Sequence, residues 1–341
     1  MGEDVWTVKR ISAWIEGYLG EHGDDNARVS AQWLVSEALG MSRMQLFLDP
    51  ERPLTPDERG VLRDWTRRRA AGEPLQYITG EVGFRHITLK VREGVLIPRP
   101  ETEVLVSEAL SLLPAAPKPQ DAYDEQLIRR FVELGGELNG FGGNVADGDD
   151  GGSSADGAHG PDGESSRYLV ADICTGSGCI ACSLASEHPL VHVVATDLSP
   201  IAVSLARENV AALGIEDRVD VLECDLGSGI DPTLLGTFDL VVSNPPYVPT
   251  SVLSQLPDEV GSYEPFLALD GGEDGLDVFR RLLAWCARAL SPGGAFAFEL
   301  HETCLEAASA EAARWGFTDI RTVNDLTGRP RVLTARWGET L

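Results

Sequence analysis

Thr237-Phe-Asp-Leu-Val-Val-Ser-Asn-Pro-Pro-Tyr247 is the stretch from which the rest of the chain can be ordered. Residues 238–242 are short, apolar and β-branched, the pattern of a buried strand. The run stops at Ser243-Asn-Pro-Pro-Tyr247. Prolines donate no N–H to a ladder, so the chain must leave the sheet there. In an open α/β sheet that exit is the carboxyl edge, where ligands bind. Asn244 brings an amide that both donates and accepts. A residue before proline is pushed toward extended conformations, so Asn244 and Pro245 are stiffly held and the Pro245 carbonyl is a fixed acceptor. Tyr247 adds a flat apolar face with a polar tip. Two acceptors and a ring suit a planar group carrying an NH2. The same residues also read as an ordinary proline turn closing a strand, and the sequence upstream decides between the two.

Upstream, residues 168–173 read as an apolar strand, followed by the turn Cys174-Thr-Gly-Ser-Gly178 and a helix over 179–186. The pattern repeats: a strand at 191–196 ending on Asp197, a helix at 200–213, a strand at 219–224 ending on Asp225. The stretch quoted above is the fourth strand. A helix near 275–290, the turn Ser291-Pro-Gly-Gly294, and strands at 295–300, 317–322 and 331–337 follow. This alternation predicts an α/β fold, a parallel sheet with helices on both faces.

Gly176-x-Gly178-x-x-Ala181 after a strand is a turn whose glycines admit close approach of a ligand and whose helix start presents N–H groups. NAD and S-adenosylmethionine enzymes share it. Asp197 suits a ribose diol, since a carboxylate accepts from both hydroxyls; it also reads as a cap for the helix from Pro200, a role open to Ser199. Asp225 sits where an adenine edge would lie and can accept from its amine, with Leu226 against the ring; it also reads as a turn aspartate. Glycine loop, acid, acid and Asn-Pro-Pro-Tyr on four successive strand ends favour S-adenosylmethionine over NAD.

Residues 1–75 read as a small helical bundle. Val8, Ile11, Trp14, Ile15 and Leu19 recur at helical spacing, and Gly20 follows. Asp25 is placed to cap a second helix carrying Val29, Trp33, Leu34 and Leu39, closed by Gly40. Thr55-Pro-Asp-Glu58 starts a third: a capping threonine, a proline in the first turn, and acids on the positive end of the dipole. Arg67-Arg-Arg69 reads as its solvated end, or as a contact for an acidic or nucleic-acid-bearing partner. Residues 76–97 alternate through Val82, Phe84, Ile87, Leu89 and Val91, with Glu93-Gly94 as a turn, and predict a β-hairpin bridging two domains. The second domain is then 98–341. It opens on Leu96-Ile-Pro-Arg-Pro-Glu-Thr-Glu103, a stiff loop from which Glu101 or Thr102 starts a helix through residue 113. Residues 114–167 are Pro-rich, then Gly-, Asp- and Ser-rich. They bury too little apolar surface to offset ordering entropy and read as a mobile acidic loop, with one short helix at 126–134. Their Asp/Gly run lacks the closing glutamate of a calcium loop.

Composition narrows the partners. With 54 acidic against 28 basic residues the formal net charge is −26, so the chain gains nothing from counterion release on nucleic acid. No run of eighteen apolar residues predicts a membrane span. Met1-Gly-Glu-Asp-Val-Trp lacks the basic and apolar regions of a signal peptide, and a cytoplasmic protein is expected. Cys174, Cys179 and Cys182 fit an iron–sulfur spacing. A strand, a turn and a helix would spread the three sulfurs along a rod, so buried reduced thiols are expected and no metal.

The glycine loop, Asp197 and Asn244-Pro-Pro-Tyr247 resemble a Rossmann-like class I methyltransferase that acts on planar nitrogens. Gly80-Glu-Val-Gly-Phe84, Leu96 to Glu103, and Tyr263-Glu-Pro-Phe-Leu-Ala-Leu-Asp-Gly-Gly-Glu-Asp-Gly-Leu276 narrow the likeness. The chain is similar to the peptide chain release factor glutamine N5-methyltransferases over nearly its whole length, except about 114–167, which the resemblance makes an insertion. It implies S-adenosyl-L-methionine as methyl donor and the glutamine of the Gly-Gly-Gln motif in class 1 release factors as acceptor. Carried over, Cys174, Thr175, Gly176, Ser177, Gly178, Asp197, Asp225, Leu226 and Asn244 hold the cofactor. Asn244, Pro245, Pro246 and Tyr247 hold the glutamine, with Asn244 and Pro245 catalytic. Leu226 replaces a frequent aromatic residue. Cys174 replaces a frequent glycine, which is expected only at negative φ. A monomer without direct nucleic-acid contact is expected. The alternatives are a glutamine methyltransferase for a ribosomal protein, a base N-methyltransferase, and a non-catalytic cofactor-binding adaptor.

Overall fold

The computed structural model describes residues 5–116, 167–255, 261 and 263–338. The acidic loop expected at 114–167, with its short helix, lies outside them apart from its first three residues and its last.

The central sheet is built from β3 (Tyr168–Ile173), β4 (Val191–Asp197), β5 (Val219–Glu223), β6 (Phe238–Ser243), β7 (Leu290–Glu299), β8 (Phe317–Asn324) and β9 (Pro330–Trp337). Their order is β5-β4-β3-β6-β7-β9-β8. β5 through β7 run parallel, and β9 and β8 close the edge antiparallel. Successive strands step outward from β3 to one side, and from β6 to the other. The strand order therefore reverses between β3 and β6, the place where open α/β sheets form a ligand crevice. Register aligns their tips: Ile173 pairs with Ser243 and also with Thr196. The glycine turn, Asn244 and Asp197 thus leave the sheet side by side.

Parallel strands covered on both faces are apolar almost throughout. In β6, Phe238, Leu240, Val241 and Val242 are all buried. Leu240 and Val242 join the cluster on one face, Val241 the cluster on the other. The second cluster is rich in aromatics, with Phe296 and Phe298 stacked at 4.5 Å and Phe279 and Phe317 edge-on to them. The expected turn at Ser291 to Gly294 lies within β7. The pairing jumps from Phe238–Leu290 to Leu240–Ala295, so these residues bulge out between two paired points.

The N-terminal helices are α1 (Val8–Glu21), α2 (Ala27–Leu39), α3 (Arg43–Leu48), α4 (Pro56–Ala70) and α5 (Leu75–Thr79), packed around a cluster of their own. Thr55 and Glu58 cap α4 reciprocally. The sequence did not reveal α3 or α5, which are six and five residues long, too short for a periodic signal. Asp25 does not cap α2. Its neighbour Asp24 accepts from the Asn26 N–H and the Ser30 hydroxyl and pairs with Arg69 at 2.8 Å. Arg69 is therefore tucked in rather than solvated, and Arg68 is paired with Glu73.

The hairpin is β1 (Glu81–Phe84) and β2 (Ile87–Lys90), turning at Arg85-His86. It is shorter than the 76–97 expected, because residues 75–79 are helical. Asn209, on the helix Pro200–Leu213, ties it to the glycine turn: its amide accepts from the Lys90 N–H and donates to the carbonyls of Lys90 and Ser177. Among the described residues no helix is long and apolar enough to cross a membrane.

Candidate active site

The glycine turn after β3 is held from within. Asp172, fully buried, accepts from the Thr175 hydroxyl at 2.6 Å and from the Ala181 N–H at 3.1 Å through one oxygen. Its other oxygen has no hydrogen-bond partner among the described residues. Burial pushes this carboxyl up to about 7. Gly176 and Gly178 have φ of +57° and +82°, which glycine adopts without steric cost. A Cβ on Gly178 would lie 3.2 Å from Ala206 Cβ, so the residue also lets two helices approach. Cys174 has φ +62°, not the negative value expected. It occupies the left-handed conformation that a glycine would hold without strain.

Asp197 ends β4 beside this turn. One carboxylate oxygen accepts from the Gly176 N–H at 2.8 Å, the other from the Ser199 N–H at 2.9 Å. Ser199 caps the following helix, its hydroxyl accepting from the Ala202 N–H. Asp197 is thus free of the capping role, and its carboxylate keeps acceptor capacity for a ligand. Burial raises its pKa against the pull of these N–H groups.

Asn244 is held by residues far away in sequence. The Ser243 hydroxyl donates to the Ile173 carbonyl at 2.5 Å, tying the two strand tips together. Asn244 Nδ2 donates to Thr102 Oγ1 at 3.2 Å. Thr102, first residue of α6 (Thr102–Leu112), donates to Glu299 Oε2 at 2.7 Å. The Tyr247 hydroxyl donates to Glu299 Oε1 at 3.2 Å. Glu299 ends β7, where Ser243 pairs with Phe298, so the register sets it next to Asn244. It is buried, and burial raises its pKa while Thr102, Arg331 and Tyr247 oppose the rise.

The stretch after Tyr263 braces the same loop. Val248 N–H donates to the Leu269 carbonyl and Gly271 N–H to the Val248 carbonyl, at 2.9 and 2.8 Å. A Cβ on Gly271 would lie 2.7 Å from Tyr247 Cα, so only glycine admits this approach. Glu264, buried, grips Arg99 through both oxygens at 2.7 and 2.6 Å.

One cleft opens at these strand tips. Cys174, Thr175, Gly176, Ser177, Asp197, Asp225, Leu226, Asn244 and Pro246 line it. Gly178, Pro245 and Tyr247 do not. Leu198, Ile180 and Val95 give it apolar walls; Arg99, Thr102, Pro265, Leu267 and Ala268 line it too. Asp225 pairs with Arg281 on α9 (Asp277–Ala289; α7 and α8 are Cys179–Glu187 and Pro200–Leu213). Burial pushes the Cys179 and Cys182 thiols up, the latter to about 12, so both are protonated and unreactive at neutral pH. No group of three or more His, Cys, Asp or Glu placed to hold a metal occurs among the described residues.

Sequence reasoning missed Asp172, Thr102, Glu299 and Arg281. Asp172 left a faint signal, an acid inside an otherwise apolar strand. Glu299 left the same signal at the end of β7. Nothing linear couples Thr102 to Glu299 across 197 positions.

The PrmC N-terminal domain family model matches residues 11–80, and the Methyltransferase small domain model matches residues 163–256. The release factor glutamine methyltransferase of Geobacter sulfurreducens is 37% identical, over 98% of this chain and 98% of its own length. That of Caulobacter vibrioides is 33% identical, over 96% of each. A solved structure titled a release-factor-specific protein-(glutamine-N5) methyltransferase, from Alicyclobacillus acidocaldarius, covers 71% of this chain and 94% of its own, at 25% identity and TM-score 0.35. On the near-complete overlap with its curated relatives, the chain belongs to the release factor glutamine methyltransferase family.

Proposed function

We propose that this chain methylates the side-chain amide nitrogen of the glutamine in the Gly-Gly-Gln motif of class 1 peptide chain release factors, with S-adenosyl-L-methionine as donor. The observation that carries the reading is the meeting of the glycine turn, Asp197 and Asn244 in one cleft.

The cleft fits that donor chemically. Asp197 gives it a carboxylate for a cationic ligand, while the charge of Asp225 is met by Arg281. Asp197 keeps acceptor capacity for a ribose diol. Leu198 and Leu226 offer apolar contact to a base. Cys174, Thr175, Gly176, Ser177 and Gly178 form the turn against which it lies. When bound, the donor supplies a methyl group already activated on a sulfonium.

The protein's task is then to aim a poor nucleophile, because an amide lone pair is delocalised. Asn244 Oδ1 accepts one N–H of the glutamine amide, and the carbonyl of Pro245, which stands between the lining residues Asn244 and Pro246, accepts the other. Positive charge developing on that nitrogen meets two fixed dipoles. Pro246 walls the acceptor pocket, and Tyr247, fastened to Glu299, stiffens the loop. No strong base is needed beforehand, since methylation itself acidifies the N–H.

We assign residues 1–75 to substrate recognition, 76–97 to the linker and 98–341 to methyl transfer, with about 114–167 an insertion. The protein works as a cytoplasmic monomer without direct nucleic-acid contact.

The test is transfer of labelled methyl from S-adenosylmethionine to purified release factor, with mass spectrometry of the Gly-Gly-Gln peptide. Label on that glutamine, and none on a release factor carrying asparagine in its place, is expected. Label on RNA or a ribosomal protein instead would overturn the reading.

A further inference from the structure

We infer that Glu299, acting through Thr102, is a positioning residue that fixes which end of the Asn244 amide faces the acceptor pocket; the inference rests on the function proposed above. An asparagine amide is nearly symmetric in shape, and only its hydrogen-bond partners decide between its two orientations. A flipped Asn244 would present an NH2 to the substrate's NH2, and the clamp would repel what it must hold.

The partners here allow one orientation. Both oxygens of Glu299 serve as acceptors, Oε2 for the Thr102 hydroxyl and Oε1 for that of Tyr247. Thr102 and Tyr247 each own a single hydroxyl hydrogen, and both point at Glu299, at 2.7 and 3.2 Å. The shorter distance is in the range of a hydroxyl bonded to a charged acceptor. With its hydrogen committed to Glu299, the Thr102 oxygen can only accept. The amide end 3.2 Å away must then be the donor, Nδ2. Oδ1, at the opposite end of the same planar group, is left for the cleft that Asn244 lines.

The chain of bonds has a direction set at its buried end. Glu299 is 1% exposed, so water is not at hand there to supply substitute partners. Glu299 also holds Tyr247, so one carboxylate steadies both ends of the Asn-Pro-Pro-Tyr segment. Glu299 touches no substrate in this arrangement, and its effect passes wholly through Thr102 and Tyr247.

Three variants test this: Thr102→Val, which keeps the shape and removes the hydroxyl; Thr102→Ser, which restores it; and Glu299→Gln, which keeps the shape and can donate as well as accept. Methyl transfer to release factor should fall about 30-fold in kcat for Thr102→Val and Glu299→Gln. KM for the methyl donor should stay within about twofold, and Thr102→Ser should recover most of the loss. The double variant should be no worse than the poorer single, because both act through one amide. A second readout needs no turnover. The Asn244 side-chain NH2 resonance, assigned by its loss in Asn244→Asp, should shift in Thr102→Val and Glu299→Gln and return in Thr102→Ser. Unchanged kcat and resonance in Thr102→Val, or multiplicative losses in the double variant, would overturn the inference. A wild-type protein that leaves glutamine unmodified while the resonances behave as stated would instead sink the proposed function and leave the amide's orientation standing.

Discussion

The two halves of the cleft are built by opposite means. The glycine turn is secured by neighbours: Thr175 bonds to Asp172 three residues away, Ala181 to the same carboxylate nine away, and Gly176 to Asp197 twenty-one away. The Asn-Pro-Pro-Tyr loop is secured by strangers: Thr102 lies 142 positions from Asn244, and Glu299 lies 52 from Tyr247. A local device is encoded where it stands and binds whatever shares its general shape. A non-local device exists only once the sheet has registered β6 against β7 and seated α6 across them. On the proposed function, the difference separates holding a cofactor from choosing an acceptor.

The sharpest way to break the comparison is to cut each half separately. Asn244→Ala removes the side-chain acceptor and should lower kcat for methyl transfer about 10^3-fold, the scale of losing a preorganised charge-stabilising group. Affinity for S-adenosylmethionine, read by calorimetry, should change less than about threefold. Asp197→Ala should do the reverse, weakening cofactor binding about a hundredfold as the acceptors for two hydroxyls disappear. Equal losses of binding in both variants would show that the halves are not separate.

The same contrast explains what the sequence disclosed. The strand–turn–helix around Gly176 and the strand ending at Asn244 were legible because their signals are periodic and short-range: apolar runs, paired glycines, consecutive prolines. Asp197 was legible because it ends a strand. Thr102 read only as a possible helix start, although its hydroxyl reaches across the fold to Glu299. The arginines at the end of α4 read as solvated because charge runs usually are; Asp24, folded back from the loop before α2, claims Arg69. α3 and α5 were too short to announce themselves. The geometry of Cys174 ran against propensity, since the turn demanded a left-handed residue and the sequence supplied one with a side chain.

A second test probes the support of the glycine turn. Asp172 is buried and its carboxyl is raised from the ordinary value to about 7. Unfolded, it releases its proton near pH 4. Between those limits the folded chain holds a proton that the unfolded chain has lost. This group's contribution to stability is therefore fully present below about pH 4 and is lost as pH rises through about 7. The slope is about 1.4 kcal/mol per pH unit within that window. Asp172→Asn keeps an acceptor for Thr175 and Ala181 and abolishes the titration. Denaturant unfolding at a series of pH values should show wild type losing ground to the variant as pH rises from about 5 to 6.5. Parallel curves would mean that Asp172 stays ionised throughout.

The smallest expected effect concerns Cys174, where the local device carries a visible cost. A non-glycine residue in the left-handed region is strained by roughly 1–2 kcal/mol. Glycine would relieve that strain. It would also add about 0.5–1 kcal/mol of unfolded-state entropy and forfeit the contact of a half-buried thiol with the aromatic cluster beneath the turn. The terms oppose each other and are of one size, so Cys174→Gly should change stability by less than about 1 kcal/mol, a melting shift within about 4 °C. Cofactor affinity should hold, because the turn's own bonds run through Asp172, Thr175 and Gly176. Cys174→Val is the sharper control: a β-branched side chain at φ +62° meets the same backbone with more bulk. It should melt below both wild type and the glycine variant. A valine variant as stable as glycine would mean that the turn does not impose this conformation, and that its shape depends on distant packing in the way the Asn244 clamp does.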